Sequence, residues 1–170
     1  RSLSGMMVAC YYEEGPIKEI IHNFKYNHIL ELKSQLAGYL ISTLKDNSEF
    51  AGSKNLLITA VPMHWLRRAR RGYNQAELLA DSVANEQKIS KNFKIIQKIR
   101  RTKPQVKLSG KKRLKNLENG FKINNCVLVK GKTVIVVDDV ATTGTTLIEI
   151  GRALKSAGAK EVWGLVVARG

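Results

Sequence analysis

The feature that most constrains this chain is the run from Val134 to Thr146. It opens with four apolar β-branched residues, continues with Asp138 and Asp139, and ends in a threonine-glycine segment. A short, uniformly apolar stretch of Val and Ile is typical of a strand buried on both faces. The run therefore predicts a buried strand over 133–137, then a polar loop, then a helix over 146–156.

Asp138 and Asp139 follow the predicted strand directly. Adjacent side chains on a strand point to opposite faces, so one carboxylate can face a ligand while the other turns toward the loop or a metal. The alternative is an acidic turn with a threonine helix cap. The ordered combination of apolar strand, acid pair and Thr-Gly loop before a helix favours a ligand site.

The loop after the acid pair predicts a phosphate cradle. Gly144 allows a tight turn without a Cβ, and the backbone N–H groups at a helix start attract anions. Threonine hydroxyls add donors, and the carboxylates suit the hydroxyls of a sugar, so the combined ligand chemistry is that of ribose 5-phosphate. The predicted phosphate- and ribose-binding residues are Ala141, Thr142, Thr143, Gly144, Thr145 and Thr146.

The rest of the chain alternates predicted helices and strands. Apolar periodicity predicts helix over 16–45, with a break near Asn27-His28, and over 75–87 with Asn74 as its cap. Further strands are predicted over 56–61, 93–99, 121–129 and 162–168. This order indicates an α/β fold with a mainly parallel sheet flanked by helices, whose ligands bind at the carboxyl ends of the strands.

Positive charge is concentrated in the middle third of the chain. The net charge is +15, and residues 61–120 alone carry sixteen basic and four acidic residues, a net of +12. Such a field favours phosphates, on a small ligand or on a nucleic-acid backbone, and a solvated surface is the alternative.

Composition narrows the class of protein further. No apolar run approaches the roughly 20 residues of a membrane span, and no signal peptide is visible. The two cysteines, Cys10 and Cys126, fit neither a disulfide scaffold nor a paired metal site.

A second polar segment follows the strand predicted over 56–61 and contains four arginines. The guanidinium group of an arginine can donate two parallel hydrogen bonds to phosphate oxygens. The Gly-Tyr-Asn-Gln sequence that follows supplies a turn, an aromatic face and two amides. A role for His64 as a ligand group is left open. The candidates for contacts to pyrophosphate or DNA are Pro62, Met63, His64, Arg67, Arg68, Arg70, Arg71, Gly72, Tyr73, Asn74, Gln75 and, from a later basic run, Arg113.

Residues 134–146 resemble the phosphoribosyl-pyrophosphate signature of the type I phosphoribosyltransferases. The resemblance implies that Asp138 and Asp139 are the catalytic pair and contact the ribose hydroxyls, while residues 141–146 wrap the 5-phosphate. It also implies a magnesium ion bound mainly through the pyrophosphate and ribose, with Asp138 and Asp139 as its protein ligands, either directly or indirectly. Ala141 departs from the signature, where a larger apolar residue is usual, and should alter packing more than phosphate binding.

Nearly the whole chain resembles the ComF family of competence proteins, which includes the GntX-type proteins. The most discriminating element is the segment 71–78, and the loop residues Gln105 to Phe121 and the early stretch Tyr12 to Tyr26 also fit the pattern. The resemblance implies one phosphoribosyltransferase-like domain over 1–170, with a helical hood over about 1–50 and a flexible loop over about 100–120. ComF proteins usually begin with a zinc ribbon of paired cysteines, but here only Cys10 precedes the predicted fold. Either that segment has been removed or this member lacks it, and no zinc is expected in this chain.

The ComF resemblance also implies a function. It predicts a cytoplasmic protein, at the inner face of the cell membrane, that binds phosphoribosyl pyrophosphate and handles incoming single-stranded DNA in natural competence. Tyr73 would offer a stacking face, and proteins of the competence machinery would be partners. The alternative is an active phosphoribosyltransferase of nucleotide salvage or metabolism whose acceptor the sequence does not identify.

Overall fold

The computed structural model describes residues 2–11, 16–26, 31–50, 53, 55–63, 68–69, 72–99 and 120–170. Its main sheet has the spatial order β1-β7-β6-β2-β3, and all four strand pairings are parallel. These strands are β1 (Gly5–Tyr11), β2 (Leu56–Ala60), β3 (Ser90–Lys91), β6 (Thr133–Ala141) and β7 (Glu161–Arg169). The predicted fold class, a mainly parallel sheet flanked by helices, is confirmed.

Helices and a hairpin cover the two faces of this sheet. The helices are α1 (Ile17–Tyr26), α2 (Leu32–Lys45), α3 (Gln75–Gln87) and α4 (Thr145–Ser156), with a 3₁₀ turn at Ser48–Phe50. β4 (Ile96–Lys98) and β5 (Phe121–Ile123) pair antiparallel as the hairpin.

The central strand β6 divides the core into two layers. Ile135 and Val137 pack with the helices α1, α2 and α3. Val134 and Val136 pack on the other face, with α4 and the hairpin. Because side chains alternate along a strand, Asp139 lies on the face of the helices α1, α2 and α3, and Asp138 lies on the opposite face.

Most elements with their own sequence signal lie where the pattern predicts them. β2, α3, α4 and β7 match their predicted ranges to within a residue, and Asn74 is the N-cap of α3. The helix predicted over 16–45 is represented by α1 and α2, and the break predicted near Asn27-His28 lies outside the described residues. β6 runs on to Ala141, so the acid pair lies within the strand and not after it.

Two predicted strands are longer than the observed ones, and two observed strands were not predicted. The strand predicted over 121–129 ends at Ile123, because the side chains of Asn124 and Asn125 bond to nearby backbone and turn the chain. Of residues 93–99, only the three of β4 form a strand. The sequence did not predict β1 or β3, so the N-terminal fifty residues supply an edge of the sheet as well as two helices.

The first strand depends on the last. β1 pairs in parallel with β7, with Gly5 opposite Trp163, and the backbone at Gly5 lies so close to the indole ring that a Cβ would overlap it.

The flexible loop predicted over about 100–120 lies outside the described residues except for Gly120. Its two flanks meet, since the Ile99 N–H donates to the Gly120 carbonyl at 3.0 Å. Among the helices that the structure describes, none has both the length and the apolarity that crossing a membrane requires.

Candidate functional site

The carboxyl ends of β2 and β6 open into a cavity of about 270 Å³. Its walls combine the acid pair with the segment after β2, the end of α1, the start of α3, the hairpin and the start of α4. The lining residues are Lys25, Tyr26, Val61, Pro62, Met63, Asn74, Gln75, Ala76, Lys98, Asp138, Asp139 and Thr146. The fold thus brings together the two polar segments that the sequence marked separately, as expected for a parallel sheet.

Asp139 belongs to the helical side of the site. Its Oδ1 lies 2.9 Å from Nζ of Lys25 on α1, and its side chain is only 13% exposed. The same oxygen accepts a hydrogen bond from the Val140 N–H at 2.6 Å. These two contacts hold the carboxylate in place.

Asp138 has a different environment. Burial, and then the negative charge of Asp139, raises the pKa of Asp138 from 3.8 to about 7. A hydrogen bond from the Asp139 N–H, at 2.9 Å, and the positive charges of Lys25 and Lys98 act in the opposite direction but do not cancel the effect. Near neutral pH Asp138 therefore exists in both protonation states, so it can donate a hydrogen bond to a sugar hydroxyl or accept one from it.

The threonine-glycine loop begins α4 in the manner predicted. Gly144 is the N-cap and adopts φ 71°, a left-handed conformation that favours glycine. The Thr145 N–H points to the Thr143 hydroxyl at 3.4 Å, and the two hydroxyls lie 2.8 Å apart. All four threonines of the loop are exposed, whereas Ala141 is buried against α4, so its small size affects packing.

Asn74 and Gln75 line the cavity, and Tyr73 bonds to the backbone of α1 beside it. The Tyr73 hydroxyl donates to the Phe24 carbonyl at 2.9 Å, and Gln75 Nε2 donates to the Lys25 carbonyl at 3.4 Å. Asn74 accepts from the Ala76 N–H at 3.1 Å as the cap of α3 and donates to the Val61 carbonyl at 3.0 Å. The segment therefore ties α1, the residues after β2 and α3 to one another.

The remaining candidates from the basic segment are less well placed or not described. Pro62 and Met63 line the cavity, and Gly72 adopts φ 78° ahead of Tyr73. Arg68 is exposed, with Nη1 3.2 Å from Glu77 Oε1. His64, Arg67, Arg70, Arg71 and Arg113 lie outside the described residues.

Sequence reasoning missed Lys25 and Lys98 as site residues. A lysine on an amphipathic helix or in a short strand is ordinarily solvated, and nothing local distinguishes these two. The signal that could have found Lys25 is its place in the early ComF-like stretch, but only the fold places its ammonium beside Asp139.

The donor set fits magnesium that arrives with a ligand. Among the described residues, no group of three or more His, Cys, Asp or Glu side chains could hold a metal ion. Asp138 and Asp139 alone offer two carboxylates, and one of them is paired with Lys25. Magnesium commonly binds through one or two carboxylates, water and substrate phosphates, which matches this site.

Comparison with known proteins agrees with the geometry. Residues 68–170 match the family model of the phosphoribosyl transferase domain. Over 167 residues the chain is 34% identical to competence protein F of Haemophilus influenzae, covering 94% of this chain and 71% of that protein. The chain belongs to the ComF family.

A second relative and a solved structure extend the comparison. The DNA utilization protein YhgH of Escherichia coli is 31% identical over 151 residues, which cover 87% of this chain and 66% of that protein. Glutamine phosphoribosylpyrophosphate amidotransferase from B. subtilis superposes with a TM-score of 0.52 at 21% identity, covering 79% of this chain and 25% of that one. The type I phosphoribosyltransferase fold and the ComF resemblance are thereby confirmed.

Proposed function

We propose that this ComF-family chain binds phosphoribosyl pyrophosphate beside Asp138 and Asp139 and acts in the handling of DNA during uptake. The observation that carries the proposal is the juxtaposition, at one end of β6, of two carboxylates in unlike environments with an exposed threonine-glycine turn that begins α4. A sugar and its phosphate require these two kinds of group side by side.

The phosphate of the ligand would lie at the start of α4. The first N–H groups of a helix have no intrahelical partner, and the helix dipole adds positive potential there. The exposed hydroxyls of Thr142, Thr143, Thr145 and Thr146 supply further donors. The ribose hydroxyls would then reach Asp138 and Asp139.

The pyrophosphate would extend toward Pro62 and Met63 on the same cavity wall. A magnesium ion carried by the ligand would neutralise part of the pyrophosphate charge, with Asp138 and Asp139 as the protein groups nearest to it.

The DNA role is supported by the relatives and by charge. The relatives are named competence protein F and DNA utilization protein. The net charge of +15 gives this chain a field that attracts a polyanion such as single-stranded DNA. We place the protein in the cytoplasm, at the inner face of the cell membrane, where incoming single strands and the competence machinery would meet it.

The ligand proposal is tested by calorimetric titration with phosphoribosyl pyrophosphate and magnesium. Saturable binding is expected, with a loss of tenfold or more in the double variant Asp138→Asn/Asp139→Asn, because each carboxylate bonds a sugar hydroxyl. The matched control Asp46→Asn/Glu49→Gln removes two exposed carboxylates and should bind as the wild type does. Undiminished affinity in the Asp138/Asp139 variant would show that the site is elsewhere.

The DNA proposal is tested in parallel with single-stranded DNA at two salt concentrations. DNA affinity should fall steeply with salt because cations are released from the phosphates, whereas the affinity for the small ligand should change much less. Salt-sensitive DNA binding without any ligand binding would mean that the fold serves as a nucleic-acid scaffold alone.

An active phosphoribosyltransferase is the second candidate, and the intact combination of acid pair and phosphate turn favours it. The reaction would break the bond from ribose C1 to pyrophosphate and form a bond from C1 to an acceptor nucleophile. The carboxylates would stabilise the positive charge that develops on the sugar. Release of pyrophosphate in the presence of nucleobase acceptors, abolished in the double Asn variant, would establish it. Ligand binding without any release would leave a binding protein.

A further inference from the structure

We infer that Lys25 is a ligand-binding residue of this site, which pairs with Asp139 and also contacts a phosphate oxygen of the bound sugar pyrophosphate. Tyr73 and Gln75 are its positioning residues. The inference rests on the proposed function, which it deepens by adding a cation that belongs to the protein itself.

The first support is the position of the ammonium group. Lys25 Nζ lies 2.9 Å from Asp139 Oδ1, the Lys25 side chain is only 21% exposed, and it lines the cavity. Lys18, on the same helix, is exposed as lysines usually are. Withdrawing a lysine from water has a cost in free energy, which the ion pair with Asp139 offsets.

The second support is the way the end of α1 is fixed. The last carbonyls of a helix lack intrahelical partners. Here the carbonyl of Phe24 accepts from the Tyr73 hydroxyl, and the carbonyl of Lys25 accepts from Gln75 Nε2. The Phe24 and Tyr73 rings also pack, with centroids 6.3 Å apart. These contacts hold the backbone of Lys25 at the height of the acid pair.

The third support is the charge that a phosphorylated ligand would meet. Two neighbouring carboxylates that line one cavity repel a pyrophosphate. Lys25 supplies a compensating positive charge at Asp139. A lysine ammonium has three donors on a flexible stem, so it can keep Asp139 and reach a phosphate oxygen.

The direct test replaces Lys25 and measures the affinity for phosphoribosyl pyrophosphate with magnesium by calorimetry. Lys25→Met should weaken binding about tenfold or more, since a charge-assisted hydrogen bond is lost. Lys25→Arg should recover part of the affinity. The control Lys18→Met removes an exposed charge from the same helix and should leave the affinity within about twofold of the wild type.

A second readout separates this role from mere structural support. The affinity for manganese is measured by water proton relaxation in the absence of phosphoribosyl pyrophosphate. It reports on whether the carboxylates are free to bind a metal ion. Lys25→Met should bind manganese severalfold more tightly than the wild type, because Asp139 is no longer paired. A loss of structure would lower both affinities. An unchanged manganese affinity in Lys25→Met would overturn the pairing of Lys25 with Asp139.

A double-mutant cycle tests the positioning role of Tyr73. Tyr73→Phe removes only the hydroxyl that bonds Phe24, and it should weaken the affinity for phosphoribosyl pyrophosphate by about two- to fivefold. In the Lys25→Met background the same change should have almost no effect. An equal loss in both backgrounds would show that Tyr73 does not act through Lys25.

The outcomes distinguish this inference from the function on which it rests. If the wild type binds phosphoribosyl pyrophosphate and Lys25→Met binds it equally well, the inference is overturned and the proposed function stands. If the wild type does not bind it, both are overturned.

Discussion

Asp138 and Asp139 show how a single step along a strand changes what a side chain can do. Asp139 accepts from Lys25 and from the Val140 N–H, whereas burial and its neighbour's charge raise the pKa of Asp138 to about 7. Two carboxylates in unlike environments can serve as donor and acceptor toward the same ligand.

The raised pKa of Asp138 predicts a dependence of stability on pH. Below about pH 4, both the folded and the unfolded chain hold this proton. Between about pH 4 and 7 only the folded chain holds it, so the contribution of Asp138 to stability decreases as the pH rises through that window. Replacing it by Asn removes the titrating group.

The free energy of unfolding of Asp138→Asn minus that of the wild type should therefore increase by roughly 2–4 kcal/mol from pH 4 to pH 7.5. Urea titrations across this range, without divalent cations, measure the difference. For Asp46→Asn, which changes an exposed carboxyl, the difference in free energy of unfolding from the wild type should change much less with pH. A flat difference for Asp138→Asn as well would contradict the raised pKa.

The acid pair and the phosphate turn could be predicted from sequence because they form one continuous run. The partners of that run could not. Lys25 and Asp139 lie far apart in sequence, and Lys98 reaches the site only because the hairpin packs beside β6. No local sequence pattern indicates such long-range contacts. The bond from the Tyr73 hydroxyl to the end of α1 is likewise absent from any local pattern.

Asn74 connects three parts of the fold. Its side chain caps α3 through the Ala76 N–H and bonds the carbonyl of Val61, the first residue after β2. It is 3% exposed, so water replaces neither bond easily. One side chain thus fixes both the start of a helix and the wall of the cavity.

Asn74→Ala should lower the free energy of unfolding by about 2–3 kcal/mol, because a cap is lost and a buried carbonyl is left without its partner. The affinity for phosphoribosyl pyrophosphate should also fall, since Val61 and Pro62 lose their anchor. Chemical denaturation and calorimetry measure the two effects. Asn125→Ala removes an exposed turn bond to the Val127 N–H and should lower the free energy of unfolding by under about 1 kcal/mol. Similar losses in the two variants would contradict the linking role of Asn74.

Helices and strands with local signals were predictable, and those defined by distant pairing were not. α3 has an Asn cap and an apolar stripe, and β2 is a continuous apolar run. β1 shows no regular alternation, because it is an edge strand of mixed burial that is held by β7. β3 has two residues and owes its assignment to β2.

The chain as a whole carries its excess charge unevenly. Residues 100–119 contain eight basic and one acidic residue, so they contribute +7 of the net +15. They join β4 to β5, whose ends are already bonded at Ile99 and Gly120. The core therefore does not require this segment to keep the hairpin closed.

Replacing residues 100–119 by Asn-Gly should preserve the fold and raise the free energy of unfolding by up to about 2 kcal/mol, since a shorter loop costs less entropy to close. The affinity for single-stranded DNA should fall and depend less on salt. Thermal unfolding and DNA titration at two salt concentrations measure both effects.

A control of equal length, with residues 100–119 replaced by Gly and Ser, separates the two causes. It should lose the DNA affinity but gain no stability. If the short-turn variant unfolds, the hairpin depends on residues 100–119, and the bond between Ile99 and Gly120 does not suffice to keep it closed.

The pairing of the first strand with the last has a consequence for the order of events during synthesis. β1 lies beside β7, and β7 alone joins it to the rest of the sheet. A nascent chain therefore carries β1 without its partner until β7 has been made. Contacts of such long separation form late and slowly, so the sheet can be completed only after β7 has been synthesised. Until then, the backbone groups of β1 that bond to β7 lack their partners, and an unpaired strand edge favours association with other chains.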